Sequence, residues 1–328
     1  MRFRAVLLAL LSVVPTVGQA QTMADAPLAL EGRIPLGDIA GRLDHLAVDL
    51  KRQRLYVAEL GNGTLGVVDL AAGKVLQTVG GFREPQGVGY EPSTDTIYVA
   101  NGGEGSVRVL RAADLAPIAR IEIGEDADNV RVDQAHQRVL VGYGNGGLAV
   151  IDPATGSRVG DFPLNGHPEG FQIGRTANRV FINVPRRAEI VVIDLAQGAM
   201  RSLPTGGLRS NFPMAIDADA DRVLTVFRNP PSLMAFSTDG TVTGRIETCG
   251  DADDVFLDRK RHRIYVICGA GAIDVIDGTG TNYQRLASLP TAPGARTALF
   301  VPELDRLYVA AAANGASPAA LWVFRPLP

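Results

Sequence analysis

Between Val79 and Asn101 the chain reads VGGFREPQGVGYEPSTDTIYVAN, and in this stretch short apolar runs alternate with clusters of turn-forming residues. Glu84-Pro85-Gln86-Gly87 leads into the run at 88–90, and the polar turn at 92–96 leads into Ile97-Tyr98-Val99-Ala100. That pattern predicts two strands joined by a tight loop. It recurs along the chain: aligning the centre of the second strand puts Val57, Val99, Val141, Ile182, Thr225, Val266 and Val309 in one column, at steps of 42, 42, 41, 43, 41 and 43 residues. A period of roughly 40 to 45 residues with about four short strands is that of propeller blades. The column therefore predicts an all-β, seven-bladed β-propeller with four antiparallel strands per blade.

The seventh repeat offers only three strands, near 298–301, 307–310 and 321–324. Residues 28–36, LALEGRIPL, alternate as a strand should and precede the first full repeat. They are expected to supply the missing fourth strand, because a closed ring leaves no edge unpaired. No linker or charge block interrupts the repeat, so 21–328 is expected to be a single domain. Residues 1–20 carry Arg2 and Arg4, an apolar run at 5–14, and the small-residue end Gly18-Gln19-Ala20. This is the layout of a cleaved secretory signal peptide, and it places the mature chain in a periplasm or outside the cell. No later segment is long and apolar enough to predict a membrane span.

With 37 Gly, 20 Pro and 46% hydrophobic residues, the composition suits many short strands and turns. The formal net charge is −3, and losing Arg2 and Arg4 with the leader makes it −5. Without a basic stripe the chain lacks what binding to a phosphate backbone requires, which argues against a nucleic-acid partner. A monomer is expected.

The blocks Val150-Ile-Asp-Pro-Ala-Thr-Gly-Ser-Arg-Val159 and Tyr98-Val-Ala-Asn101 resemble the consensus of YVTN-type β-propeller repeats, found in secreted and periplasmic bacterial proteins. Pro85-Gln86-Gly87-Val88 and Pro168-Glu169-Gly170-Phe171 are similar to the first-strand openings of NHL and of gluconolactonase-like (SMP-30-type) propellers. The resemblance spans the mature chain, but it implies a fold more than an activity, since such propellers include binding proteins as well as enzymes. Blades 5 and 7 depart from it, with Thr225 where valine is usual and Ala310 to Ala313 in place of a polar strand end.

Counting 13 residues back from the strand column gives the residue that opens each innermost strand: Asp44, Gln86, Asp128, Glu169, Phe212, Asp253 and Arg296. Two positions later the column is wholly apolar, from Leu46 to Ala298, so blade packing should begin behind a polar ring at one mouth of the channel. Converging carboxylates disfavour one another's ionisation unless a cation relieves them. Asp44, Asp128, Glu169 and Asp253 are therefore candidate ligands for one divalent ion, Ca²⁺ or Mg²⁺ given hard oxygen donors; a hydrated funnel is the alternative. The gluconolactonase resemblance implies an axial cation of this kind, with Glu169 and Asp128 at comparable positions.

His45 and His167 open blades 1 and 4 at the same mouth, whereas His136 and His262 fall in turns at the other end. Arg186, Arg187, Arg209 and Arg228 cluster on the top loops of blades 4 and 5, and Asn101 ends a second strand there. Forked donors at Arg187, Arg209, Arg228 and Arg296, with Asn101, would suit a small anionic molecule. The leading expectation is a binding propeller for such a molecule or for a partner protein. The alternative is a metal-dependent hydrolase or lactonase in which Asp44, His45 or Glu169 moves the proton. The two cysteines, Cys249 and Cys268, flank blade 6 on one side and predict a disulfide in an oxidising compartment, with two free thiols as the alternative.

Overall fold

The computed structural model describes residues 26–144, 146–174, 178–217, 219–315 and 317–328. The expected leader, residues 1–20, and the loop residue Asn145 lie outside the described residues. Among those described, 28 strands form seven four-stranded antiparallel sheets, each running in sequence order from the axis outwards except the last. In that last sheet the order is Thr297–Val301, Arg306–Ala311, Ala319–Pro326 and then the N-terminal strand Leu28–Gly37. Leu30 pairs with Phe324 and Ile34 with Leu321, so the two ends of the chain close the ring.

The sequence columns coincide with the hydrogen-bonded registers. Each residue of the apolar column faces its partner in the strand column: Leu46–Val57, Val88–Val99, Val130–Val141, Phe171–Ile182, Met214–Thr225, Val255–Val266 and Ala298–Val309. The residue before each strand-column position is Tyr56, Tyr98, Leu140, Phe181, Leu224, Tyr265 or Tyr308, and every one is buried. These side chains fill seven apolar layers between neighbouring sheets rather than one central core. Burying a side chain of this size contributes roughly 2 to 3 kcal/mol, so each blade is held mainly by its neighbours.

Below the mouth the innermost strands of adjacent blades crowd together. A Cβ added at Gly87 would lie 2.1 Å from the carbonyl oxygen of Asp128, and one at Gly170 would lie 2.5 Å from that of Phe212. Glycine at these two positions lets adjacent strands approach backbone to backbone below the mouth.

Thr225 departs from the strand-column pattern for a visible reason. Its hydroxyl lies 3.4 Å from Asn183 Oδ1, which also accepts a hydrogen bond from Asn211 Nδ2 at 2.9 Å. Asn183 Nδ2 in turn donates to the carbonyls of Phe212 and Pro213. This buried amide network steadies the irregular start of blade 5, where the register shifts between Asn211 and Met214.

Candidate ligand site at the axial mouth

All seven residues that open the innermost strands line one cavity of about 480 Å³. Their placement is fixed by backbone: the amides of Asp44, Asp128 and Glu169 donate to the carbonyls of Ala58, Gly142 and Asn183 on the second strands of their own blades. The side chains are then free to project inwards. Two residues earlier in each blade sits a second tier, of which Arg42, Asp126 and His167 also line the cavity. The same counting rule finds this tier, because Glu84, Asp126, Ser210, Asp251 and Gly294 share a positive φ in the equivalent turn.

The four carboxylates do not share one focus. Asp44, nearly fully buried, accepts a hydrogen bond from Arg42 Nη2 at 2.6 Å. Asp253 is gripped by Arg228 Nη2 at 2.5 Å and lies 3.1 Å from Arg296 Nε. Both arginines also contact Asp251, at 3.3 and 2.9 Å, and Arg228 stacks 3.6 Å over the Phe212 ring. Asp128 and Glu169 instead meet His167, with one ligating atom from each of the three within 4.8 Å of the others.

His167 is held in one orientation. Its Nδ1 donates to the carbonyl of Gly144 at 2.7 Å, and Nε2 faces Asp128 Oδ2 at 3.6 Å. Asp128 Oδ1 is buried without a hydrogen-bond partner. The electrostatics follow from burial and like charge. Burial, then repulsion from Asp128, pushes Glu169 up to about 8. Asp44 is raised well above the ordinary carboxylate range, first by burial and then by Asp128. Asp253 is raised by burial despite its two arginines. Burial also favours the neutral form of Asp128, but the combined pull of His167, His45 and Arg42 outweighs it and holds this carboxyl low. Burial would lower His167, yet the neighbouring carboxyls of Asp128 and Glu169 bring it to about 9. Burial lowers His45 to about 4, so it is neutral near pH 7.

Several residues expected at the mouth are elsewhere. Asn101 is fully buried, its Nδ2 donating to the carbonyls of Val99 and Ser106, because the end of that strand needs its backbone oxygens satisfied. Arg187 and Arg209 are exposed and do not line the cavity, while Arg186 does. Arg42, which precedes Asp44 by two residues, joins the site without having been singled out from the sequence. Cys249 and Cys268 form a disulfide, with Cα atoms 5.9 Å apart. It ties the turn carrying Asp251 and Asp253 to the second strand of blade 6.

Fold and cavity define the class: a seven-bladed, WD40-like β-propeller with a polar axial cavity. No protein-family model matches the chain, and no curated protein matches it. Among solved structures, it is similar to a chain of Kuenenia stuttgartiensis hydrazine synthase at 15% identity and a TM-score of 0.70, covering 90% of this chain and 96% of that one. It is also similar to a chain in the crystal structure of a mitotic checkpoint complex at 10% identity and a TM-score of 0.78, covering 98% of this chain and 99% of that one. At these identities the likeness is one of fold. No helix among the described residues is long and apolar enough to cross a membrane.

Proposed function

We propose that this chain is a secreted or periplasmic binding propeller whose axial cavity takes a small molecule bearing a carboxylate or phosphate. The observation that carries the reading is the convergence of all seven strand-opening residues on one cavity of about 480 Å³ that also holds arginines. Arg228 and Arg296 are engaged by Asp251 and Asp253, so they shape the wall. Arg42, whose side chain is 43% exposed and gives only its Nη2 to Asp44, and the exposed Arg186 offer further donors to an anion. Planar guanidinium forks suit either anionic group. The disulfide supports an oxidising compartment, in keeping with the leader-like N-terminus.

A second reading, a hydrolase of the lactonase type, is favoured by shifted proton affinities in one cavity. Near neutral pH Glu169 holds a proton that it could give, and His45 is a neutral base. Such pairs are where acid–base chemistry is found. The expected hard-cation site built from Asp44, Asp128, Glu169 and Asp253 does not fit these residues, because Asp44 and Asp253 are turned to arginines.

The test is calorimetric titration of the purified chain with inorganic phosphate and a panel of small carboxylic acids, alongside lactone hydrolysis followed by pH-stat. Binding that Arg42→Ala with Arg186→Ala weakens about tenfold or more, without turnover, is the expected result. Lactone turnover abolished by Glu169→Gln would favour the hydrolase. No acid or phosphate binding together with capture of a protein at the mouth would replace the small ligand with a partner.

A further inference from the structure

We propose that Asp128, His167 and Glu169 form a three-ligand site for a borderline divalent metal ion of the Zn²⁺ type, open towards the axial cavity. The inference deepens the binding reading above and rests on the same cavity.

Three independent features of the geometry point to it. His167 has its Nδ1 committed to the Gly144 carbonyl at 2.7 Å, which fixes the ring and directs Nε2 inwards. A metal-bound histidine is oriented in this way, by donating its other ring N–H to a carbonyl. Asp128, only 6% exposed, keeps Oδ1 buried with no hydrogen-bond partner in the protein, so it is open to a metal ion. The separation of His167 Nε2 from Asp128 Oδ2, 3.6 Å, is close to the roughly 3.3 Å that separates two ligands of a tetrahedral ion bound at about 2.0 to 2.1 Å. With one atom from each residue already within 4.8 Å of the other two, small side-chain rotations complete the triad.

The donor set selects the ion. Calcium takes six to eight oxygens and magnesium keeps an octahedron of oxygens, mostly waters, whereas one imidazole with two carboxylates suits Zn²⁺, Co²⁺ or Mn²⁺. Three protein ligands leave coordination positions facing the cavity, the arrangement of sites that bind an exchangeable ligand. Charge gives the ion a further role. Four arginines and five carboxylates line the cavity. A bound divalent ion adds positive charge at the open coordination positions, so the anionic group of the ligand would complete the metal's coordination while Arg42 and Arg186 hold its periphery.

The full chain, stripped with a chelator and dialysed, is titrated with Zn²⁺ alone and with Co²⁺ alone, the latter followed by visible absorption. One equivalent per chain is expected, with affinity falling about 100-fold or more in His167→Ala and in Asp128→Ala. His136→Ala, at a histidine–aspartate pair remote from the mouth, should leave the titration unchanged, and Ca²⁺ should not compete. If His167→Ala does not fold, as judged by its melting curve, His167→Gln is titrated in its place. Absence of Zn²⁺ and Co²⁺ binding, or binding that ignores substitution of His167, would overturn the site. Phosphate titration of the metal-free and Zn²⁺-loaded protein separates the two proposals. Phosphate bound equally by both forms sinks the metal's role and spares the binding reading; metal bound without any phosphate response does the reverse.

Discussion

Two rings of acids ride on the same innermost strands. Asp44, Asp128, Glu169 and Asp253 open them at the axial mouth, and Asp49, Asp133, Asp217 and Asp258, with Glu91, close them five residues later at the opposite end. Residue type, strand and burial are nearly the same, but the partners differ. At the opposite end each acid finds donors within its own turn. Asp49 accepts from the Arg52 backbone and guanidinium, Asp258 from the Arg261 backbone, its guanidinium and the Tyr265 hydroxyl, and Asp133 from Arg138. The arginines then reach across to the next blade, where Arg52 grips Asp95 and Arg261 grips Asp305, each through two contacts of 2.7 Å. Burial alone would raise Glu91, yet hydrogen bonds from Thr94 and Ser93 outweigh it and hold this carboxyl below its ordinary range. At the mouth burial wins, and Asp44, Glu169 and Asp253 are all raised. A buried acid that the local turn satisfies is part of the scaffold. One that burial raises in spite of the partners it has marks the site.

The sharpest way to break this contrast is to delete one acid from the scaffold ring. Asp258→Ala strands the buried Tyr265 hydroxyl and unties Arg261, whose side chain is only 11% exposed. A loss of about 3 to 5 kcal/mol is expected in denaturant unfolding. A loss under about 1 kcal/mol would mean that the ring opposite the mouth is decorative.

The mouth, by contrast, has its own tie in the disulfide that anchors the turn bearing Asp251 and Asp253. Replacing Cys249 and Cys268, 19 residues apart, with serine should cost about 3 kcal/mol in the chain-entropy picture and leave the ring opposite the mouth untouched. Hydrogen exchange would show the added mobility confined to blade 6 and its contacts with Arg228 and Arg296.

Acid should separate the two rings on the pH axis. The folded state lowers His45 to about 4, below its unfolded value near 6.5. Its contribution is therefore complete above about pH 6.5 and is lost as pH falls towards 4, a change of roughly 2 to 3 kcal/mol. Melting curves between pH 7 and 4 should show the decline, and His45→Gln should flatten it.

Neutralising the mouth should do little harm. Asp44→Asn removes a carboxylate whose ionised form the fold disfavours, so stability at pH 7 should stay level or rise by about 1 kcal/mol. A drop of more than about 2 kcal/mol would return Asp44 to the scaffold.

A comparably small effect is expected at Asp305, which Arg261 holds down to about 2. A depressed carboxyl contributes above its unfolded value and loses that contribution as pH falls through the folded one, here between about pH 4 and 2. Asp305→Asn should cost about 1 kcal/mol at pH 7, since the pair is partly exposed, and nothing near pH 2.

The sequence alone determined the ring: its seven blades, its strand registers, the closure of the last sheet by residues 28–37, and the rule that opens every innermost strand at the same mouth. These features are legible because they depend on alternation within a strand and on turn chemistry within a few residues, and the repeat states both of them seven times. The partners of the mouth residues could be decided only in the tertiary structure. Arg228 meets Asp253 across 25 positions and Arg296 meets Asp251 across 45, from one blade to the next. Asn101 turned inwards to satisfy its own strand end, and Gly144 of blade 3 fixed the ring of His167 from blade 4. Local pattern places a side chain in the ring; only closure of the ring brings the neighbouring blade's charges within reach and decides whether a given acid is neutralised or left open to a ligand.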